Sequence, residues 1–440
     1  MNRKERLEMA GWAVDFARKN GADDVAVNVS NSRDIEIEFR DGKIDKLAES
    51  TQNSLGLSVY AGNRYSSHST NDIRKGSLKK FIEEAVRMTG YLSEDPYRSL
   101  PDPKYYQGRK DVDLDIYDDN YESVNSDDRV KMAREIERIA MARSDKIISC
   151  TSYYSDNRSE SVKVHSNGFE GERRSTSFAA GIEATVRDGD KGRPQDWAWA
   201  VVRHRENLPS SEYLAKEAVN RALDKIGQKK IESGRYDMII DNRAAGRILY
   251  SMYFPITARA LQQKSSFLEG KIGRRIGSDK LTIIDDPFIK SGLASSTFDR
   301  EGMALKRRVM IDKGMLKQYY VDYYYGKKLE MEPTTGSATN IVFDYGDKSL
   351  DDMIRMMKKG IVVNGTIGGN SNSTTGDYSF GITGMYVEDG RIVMPVNEMN
   401  ISGNLTELWN NLVEVGNDPY EYSSMRRPSM YIKDVTFSGV

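Results

Sequence analysis

The sequence predicts an α+β fold of two lobes, each with mixed or antiparallel sheets and packed helices, the C-terminal lobe being β-rich. Three observations carry this. Apolar and polar residues alternate strictly over Ile35-Glu36-Ile37-Glu38-Phe39-Arg40, the period of a half-buried strand. Elsewhere apolar residues recur at helical spacing, as Leu7, Ala10, Val14 and Ala17 do. Strand-like runs are joined by short turns such as Asp41-Gly42 and Asn167-Gly168, which makes neighbouring strands antiparallel with helices on one face.

In chain order, the first helix ends at Asn20-Gly21. Strands follow through Phe39 and again through Leu55, Leu57 and Val59, with Ala61-Gly62-Asn63 as the next turn. Residues 79–91 read as a helix, and 93–108, with three prolines, as a connector. Ser126 or Asp127 is expected to cap a helix carrying Val130, Ala133, Ile136 and Ala140. Strands are then expected over 147–154, 161–166, 172–180, 181–187 and 196–203, the last with Trp197 and Trp199 at strand spacing. A helix with Leu214, Ala218, Ala222 and Ile226 ends at Gly227. The polar, glycine-flanked stretch 227–234 divides an N-terminal domain, residues 1–229, with sub-units 1–105 and 110–229, from a C-terminal domain, 230–440. In the latter, residues 236–241 read as a buried strand, 309–316 and 386–393 as hairpins, and Leu350, Met353, Ile354 and Met357 as a helical stripe.

Composition narrows the function. A length of 440 residues allows two or three domains and a sizeable core. The net charge of −1 gives no field that would gather a polyanion, so no direct nucleic-acid partner is expected. No apolar run reaches the roughly 20 residues of a membrane helix, and the charged N-terminus has no signal-peptide core. The single cysteine, Cys150, follows Ile147-Ile148 and reads as a small buried hydrophobe; it fits a reducing, cytoplasmic setting.

The chemistry-bearing motifs are few. His68, His165 and His204 are far apart, with no pair at ligand spacing. There is no G-x-S-x-G elbow, and Gly365-Thr366-Ile367-Gly368-Gly369-Asn370 lacks the Lys-Ser/Thr of a phosphate loop. Seven of the 36 glycines fall within 360–384. They mark either bulges and tight turns, or an open strand edge that pairs with extended peptide; Gly368, Gly369, Asn370 and Ser371 are the peptide-binding candidates. Asp299, Glu301 and Gly302 read as a turn in which a carboxylate caps backbone amides, or as part of a cavity wall, with the turn preferred. Tyr319, Tyr320, Tyr323, Tyr324 and Tyr325 suit domain core or a subunit interface, with interface preferred.

Residues 242–270, NRAAGRILYSMYFPITARALQQKSSFLEG, carry a resemblance. With residues 35–72, 298–329, 399–420 and 427–439, the stretch resembles the TldD/TldE (PmbA) family, and its KSSFLEG and Arg427-Pro428-Ser429-Met430 resemble the TldE (PmbA) branch. Active TldD-type members carry H-E-x-x-x-H on this helix. Aligning Gly246-Arg247-Ile248-Leu249 with the family's Gly-x-Leu-Leu puts Tyr250, Ser251 and Pro255 at the His, Glu and His positions. The third ligand of those members, a Cys, would fall in residues 421–427, where only Glu421 could substitute. The resemblance therefore implies no catalytic residue, metal or cofactor in this chain, with zinc expected in a partner subunit. It implies a heterodimer with a TldD-type metallopeptidase chain acting on unfolded peptide. The alternative is a non-enzymatic regulatory homodimer, in line with the family label of DNA gyrase modulator.

Overall fold

The computed structural model describes residues 1–190 and 192–440. Helix α1 (Arg3–Lys19) opens with a reciprocal cap: the Asn2 side chain accepts from the Glu5 N–H, and the Glu5 carboxylate accepts from the Asn2 N–H. Strands β1 (Asp24–Arg40), β2 (Lys43–Ala61) and β3 (Arg64–Thr70) follow. The turn Asp41-Gly42 has positive φ at both residues, the backbone that Asp-Gly tolerates. Helix α2 (Lys75–Thr89) starts four residues before the expected position.

Helix α3 (Ser126–Met141) is capped by Asn125, whose side chain accepts from the Asp128 N–H, and not by Ser126 or Asp127, which lie in the first turn. Then come β4 (Ile147–His165), β5 (Glu170–Val186), β6 (Gln195–Val202) and α4 (Ser211–Leu223). The strands expected at 147–154 and 161–166 are one strand. The polar run between them stays extended because it pairs with β1 on one side and β5 on the other. The strands expected at 172–180 and 181–187 are likewise one, β5, which ends at Val186.

These six strands make one antiparallel sheet, ordered β3-β2-β1-β4-β5-β6. The β1–β4 ladder joins the segments expected as sub-units 1–105 and 110–229. Helices α1 and α2 cover one half of the sheet, burying Val25, Val27, Leu55 and Val59. Helices α3 and α4 cover the other half, over Ala180, Ile182, Ala184 and Ala198. Beneath α3, Arg129 and Asp156 form a buried ion pair (Nε–Oδ2 2.6 Å), and Asp156 also accepts from the hydroxyls of Tyr121 (2.6 Å) and Tyr154 (3.0 Å).

The C-terminal half begins with β7 (Gly234–Ile240), α5 (Ala245–Tyr253) and α6 (Ala258–Gln262). A small sheet, ordered β10-β9-β8-β11, comes from β8 (Ile283–Asp286), β9 (Arg308–Asp312), β10 (Met315–Leu316) and β11 (Asn340–Phe343), with α7 (Tyr323–Leu329) before β11. After α8 (Leu350–Met356) come β12 (Lys359–Ser371), β13 (Asp377–Glu388), β14 (Arg391–Asn404), α9 (Leu405–Asn410), β15 (Leu412–Val415) and β16 (Met430–Ser438). The order β14-β13-β12-β7-β16-β15, with β14 also paired to β16, curls this sheet into a closed wall. Its core includes Met238, Ile240, Ile361, Val363, Phe380 and Phe437, and α5 packs Ile248, Leu249 and Met252 into it. Both expected hairpins are present, turning at Lys313-Gly314 and Asp389-Gly390 with positive φ.

Replacing Asp156 by Ala leaves the Arg129 guanidinium buried without its counter-ion. Urea unfolding should show a loss of about 3–5 kcal/mol, whereas removing the exposed Glu8 of the Lys4–Glu8 pair should cost under about 0.5 kcal/mol. Equal effects would contradict this placement of the pair.

Candidate functional site

The candidate site is built where β7 hands over to α5. Asp241, buried just past β7, accepts at Oδ1 from the N–H groups of Arg243 (3.0 Å) and Ala244 (2.7 Å), and at Oδ2 from Arg221 (3.1 Å). This carboxylate supplies the helix cap that Ala244 cannot. Helix α5 turns its apolar stripe inward and presents Arg247 and Tyr250 outward.

The positions that resemble a metal-binding helix hold other chemistry. Tyr250 is 66% exposed and stacks on Tyr253, with ring centroids 5.9 Å apart. Ser251 donates to the Arg247 carbonyl one turn back (3.2 Å). Pro255 lies beyond the last helical residue, in a buried turn where its carbonyl accepts from Ser266 (2.6 Å). Residues 421–427 do reach the helix, but they bring a cation. The Arg427 guanidinium lies so close to Gly246 that a Cβ there would come within 3.1 Å of its Nε. Arg427 donates to the carbonyls of Arg243 and Met425 and lies over the Tyr420 ring. Glu421 is exposed. Among the described residues no three His, Cys, Asp or Glu side chains cluster at ligand distance. A phenol, a back-bonded hydroxyl, a proline ring and a guanidinium do not fit zinc.

The glycine-rich strand lies beside this helix. β12 pairs with β7 only over Gly360–Val363; beyond that, its residues pair with β13 alone among the described strands. Bulges fall at 363/365 and 366/368. Gly369 is required sterically, since a Cβ would meet the Ser379 carbonyl at 2.2 Å, and both Gly368 and Gly369 have positive φ. Asn370 is exposed, and its side chain accepts from the Ser371 N–H (2.8 Å). Arg247 spans the gap, donating to the Gly369 carbonyl (2.8 Å). Arg247 is thus the α5 residue joined to Gly368–Ser371; Tyr250 and Ser251 lie three and four residues further along the helix, and Pro255 lies in the turn beyond it.

Between β12 and the edge strand β6 runs a cleft of about 310 Å³, lined by Trp197, Arg221, Arg243, Arg247, Gly365 and Ile367 among others. On the β6 wall the carbonyls of Gln195, Trp197 and Trp199 accept from Lys225, Arg243 and Tyr420. Arg243 also stacks on Trp197, 4.0 Å from the ring centroid. Asp196 sits among Arg221 (3.5 Å), Lys225 (2.9 Å) and Arg243 (3.6 Å). Burial works against its ionisation, but Arg221 and Lys225 outweigh this and hold its carboxyl below the usual range. Sequence reasoning placed the tryptophans but missed the arginines; the pattern N-R-A-A-G-R before the helix was the one available signal.

The remaining candidates do structural work. The Asp299 carboxylate accepts from the N–H groups of Glu301 and Met303, closing the expected turn. Tyr319 and Tyr320 are buried core. Tyr323 and Tyr324 are half-buried and make contacts within the chain: Tyr324 donates to Asp95 (2.6 Å) and Tyr323 packs edge-on to Tyr105. Cys150 is buried, its thiol pushed up to about 12 by desolvation. His165 pairs with Tyr106, His68 with Ser66 and His204 with Asp115.

Comparison with known proteins agrees with this architecture. The chain matches the family models for PmbA/TldA metallopeptidase domain 1 (residues 25–89), central domain (119–226) and C-terminal domain (233–439). It is 30% identical to the metalloprotease PmbA of Escherichia coli O157:H7 over 445 residues, covering 99% of this chain and 97% of that one. The chain belongs to the PmbA/TldD family. A PmbA homologue of Haemophilus influenzae is 27% identical, over 99% of this chain and 96% of that one. Among solved structures, the Bacteroides thetaiotaomicron protein described as a proposed modulator of DNA gyrase superposes with a TM-score of 0.97 at 39% identity, over the whole of both chains. The Thermococcus kodakarensis protein TldE shares the fold, with a TM-score of 0.86 at 21% identity, over 98% of this chain and 100% of that one. No helix among the described residues is long and apolar enough to cross a membrane.

The turn at Asp299–Gly302 has a pH consequence. Burial pushes the Glu301 carboxyl from 4.5 up to about 8; the Tyr323 N–H opposes this and the Asp299 carboxylate adds to it. Asp299 is itself pushed up to about 6 by burial. Glu301 thus keeps its proton in the folded chain where the unfolded chain has lost it. Its contribution to stability is complete below about pH 4.5 and is lost as pH rises through about 8. Glu301→Gln should therefore raise the melting temperature most near the top of that window and flatten its fall across it. A larger gain at the acidic end would contradict the shift.

Proposed function

We propose that this chain is the non-catalytic, TldE/PmbA-type partner subunit of a zinc metallopeptidase, working in the cytoplasm. It holds unfolded peptide along the β12 edge at Gly368, Gly369, Asn370 and Ser371, and a zinc-bearing TldD-type chain cuts it. The observation that carries this is the donor set on and around α5. Tyr250, Ser251 and Pro255 stand where active members have ligands and base, and Arg427 brings a fixed cation to the same helix. Membership of a metallopeptidase family supports the peptide substrate. The strand edge past Val363 supports the mode of holding, since main-chain pairing ignores side-chain identity and suits varied unfolded chains.

A regulatory homodimer is the second reading, favoured by the gyrase-modulator description of the 39%-identical relative. One assay separates the two. The purified chain, a TldD-type subunit and their mixture are each incubated with an unfolded protein such as reduced, alkylated casein. The partner-subunit reading expects co-elution, no turnover by this chain alone, and turnover by the mixture. Turnover by this chain alone that a chelator abolishes would refute it. A stable homodimer that ignores the TldD-type chain would favour the second reading.

A further inference from the structure

The cleft between β6 and β12 has an unusual balance of donors and acceptors. The outward carbonyls on its two walls are already taken by cationic side chains: Gln195 by Lys225, Trp197 by Arg243, Asn364 by Arg221 and Gly369 by Arg247. A peptide strand pairing along β12 would therefore displace Arg247 from the Gly369 carbonyl and free that guanidinium. Four cations line the cleft (Arg221, Lys225, Arg243 and Arg247); Asp196 in the lining and Glu217 and Asp241 beside it pair with the first three, which leaves Arg247 as the lining cation without a carboxylate among the described residues. The Arg243 side chain is 9% exposed, and its buried Nε–H has no hydrogen-bond acceptor; the Arg221 Nε faces Asp196 Oδ2 at 3.5 Å. Arg247 is exposed and makes no ion pair among the described residues; its one hydrogen bond is to a carbonyl.

Exposed Arg247, with no carboxylate partner among the described residues, can give a carboxylate in the cleft charge-assisted hydrogen bonds. Trp197 sits on the same wall under Arg243, which holds that guanidinium flat and gives the ligand backbone an apolar surface. A phosphate-type anion would match the charge, but the walls are strand edges, whose shape selects an extended chain.

We propose that this cleft is a carboxylate subsite for the bound peptide, in which Arg247 is the mobile clamp and Arg243, over Trp197, the fixed one. This rests on the peptide-holding reading above and adds to it a preference for peptides that bring a C-terminal carboxylate or an acidic side chain to this point. Arg247 is a specificity residue, since it faces the ligand and no reacting atom.

The test uses the full-length chain and fluorescence anisotropy with three labelled dodecapeptides of Gly, Ser, Thr and Ala. One ends in a free carboxylate, one in an amide, and one in an amide with a single internal Glu. The carboxylate-bearing peptides should bind about tenfold more tightly than the plain amide, with the advantage shrinking at high salt. The Glu peptide and the free-acid peptide together show which carboxylate is taken. Arg247→Gln should bring all three to the affinity of the amide, and Arg247→Lys should keep part of the preference. Arg247 is exposed, so its loss should leave the melting temperature unchanged. Equal binding of all three peptides, or a preference that survives in Arg247→Gln, would overturn the subsite and leave peptide holding intact. Binding of none of them would overturn both.

Discussion

Two buried carboxylates hold the halves of this molecule in register. Asp196 on β6 and Asp241 at the end of β7 share the cations Arg221, Lys225 and Arg243. One cluster therefore joins α4, the edge of the N-terminal sheet, the C-terminal wall and the first turn of α5. Ionic groups buried this way add little net stability, because desolvation offsets most of the attraction. Their effect is positional: each carboxylate has fixed partners on separate elements, so β6 can dock in only one register. The cleft follows from this, since its two walls are the strand edges that the cluster holds apart.

The same constraint explains what α5 has become. The helix keeps its apolar stripe, its cap from Asp241 and its seat on the C-terminal core. Its outward face makes contacts within the chain. Tyr250 stacks on Tyr253, Arg247 reaches the glycine-rich strand, and Gly246 leaves room for Arg427. Pro255 ends the hydrogen-bonded run before a position five residues past Tyr250 can sit on the helix, so even a ligand placed there would be carried by a turn.

Local features were legible in the sequence because they depend on neighbours along the chain. Ile35, Ile37 and Phe39 alternate as they face the core, and Asp41-Gly42, Lys313-Gly314 and Asp389-Gly390 turn as their residue types require. What escaped depends on partners far away in the chain. The run between residues 154 and 161 looks like a break until β1 and β5 pair with it on both sides. The intrachain partners of the tyrosines at 319–325, Asp95 and Tyr105 among them, lie more than 200 residues away and leave no mark on the local sequence. At the site, the altered ligand positions could be read by resemblance. The cation-capped carbonyls could not, because Lys225, Arg243 and Tyr420 reach one edge strand from three separate segments.

The most direct measurement is the zinc content of the purified chain after loading with excess zinc and exhaustive dialysis, read by elemental analysis beside a TldD-type chain treated identically. A helix that presents a phenol, a back-bonded serine and no third donor should retain far less than one zinc per chain, while the TldD-type chain retains about one. One equivalent held by this chain, and lost when Tyr250 and Ser251 are replaced by Ala, would contradict the assignment of a non-catalytic partner.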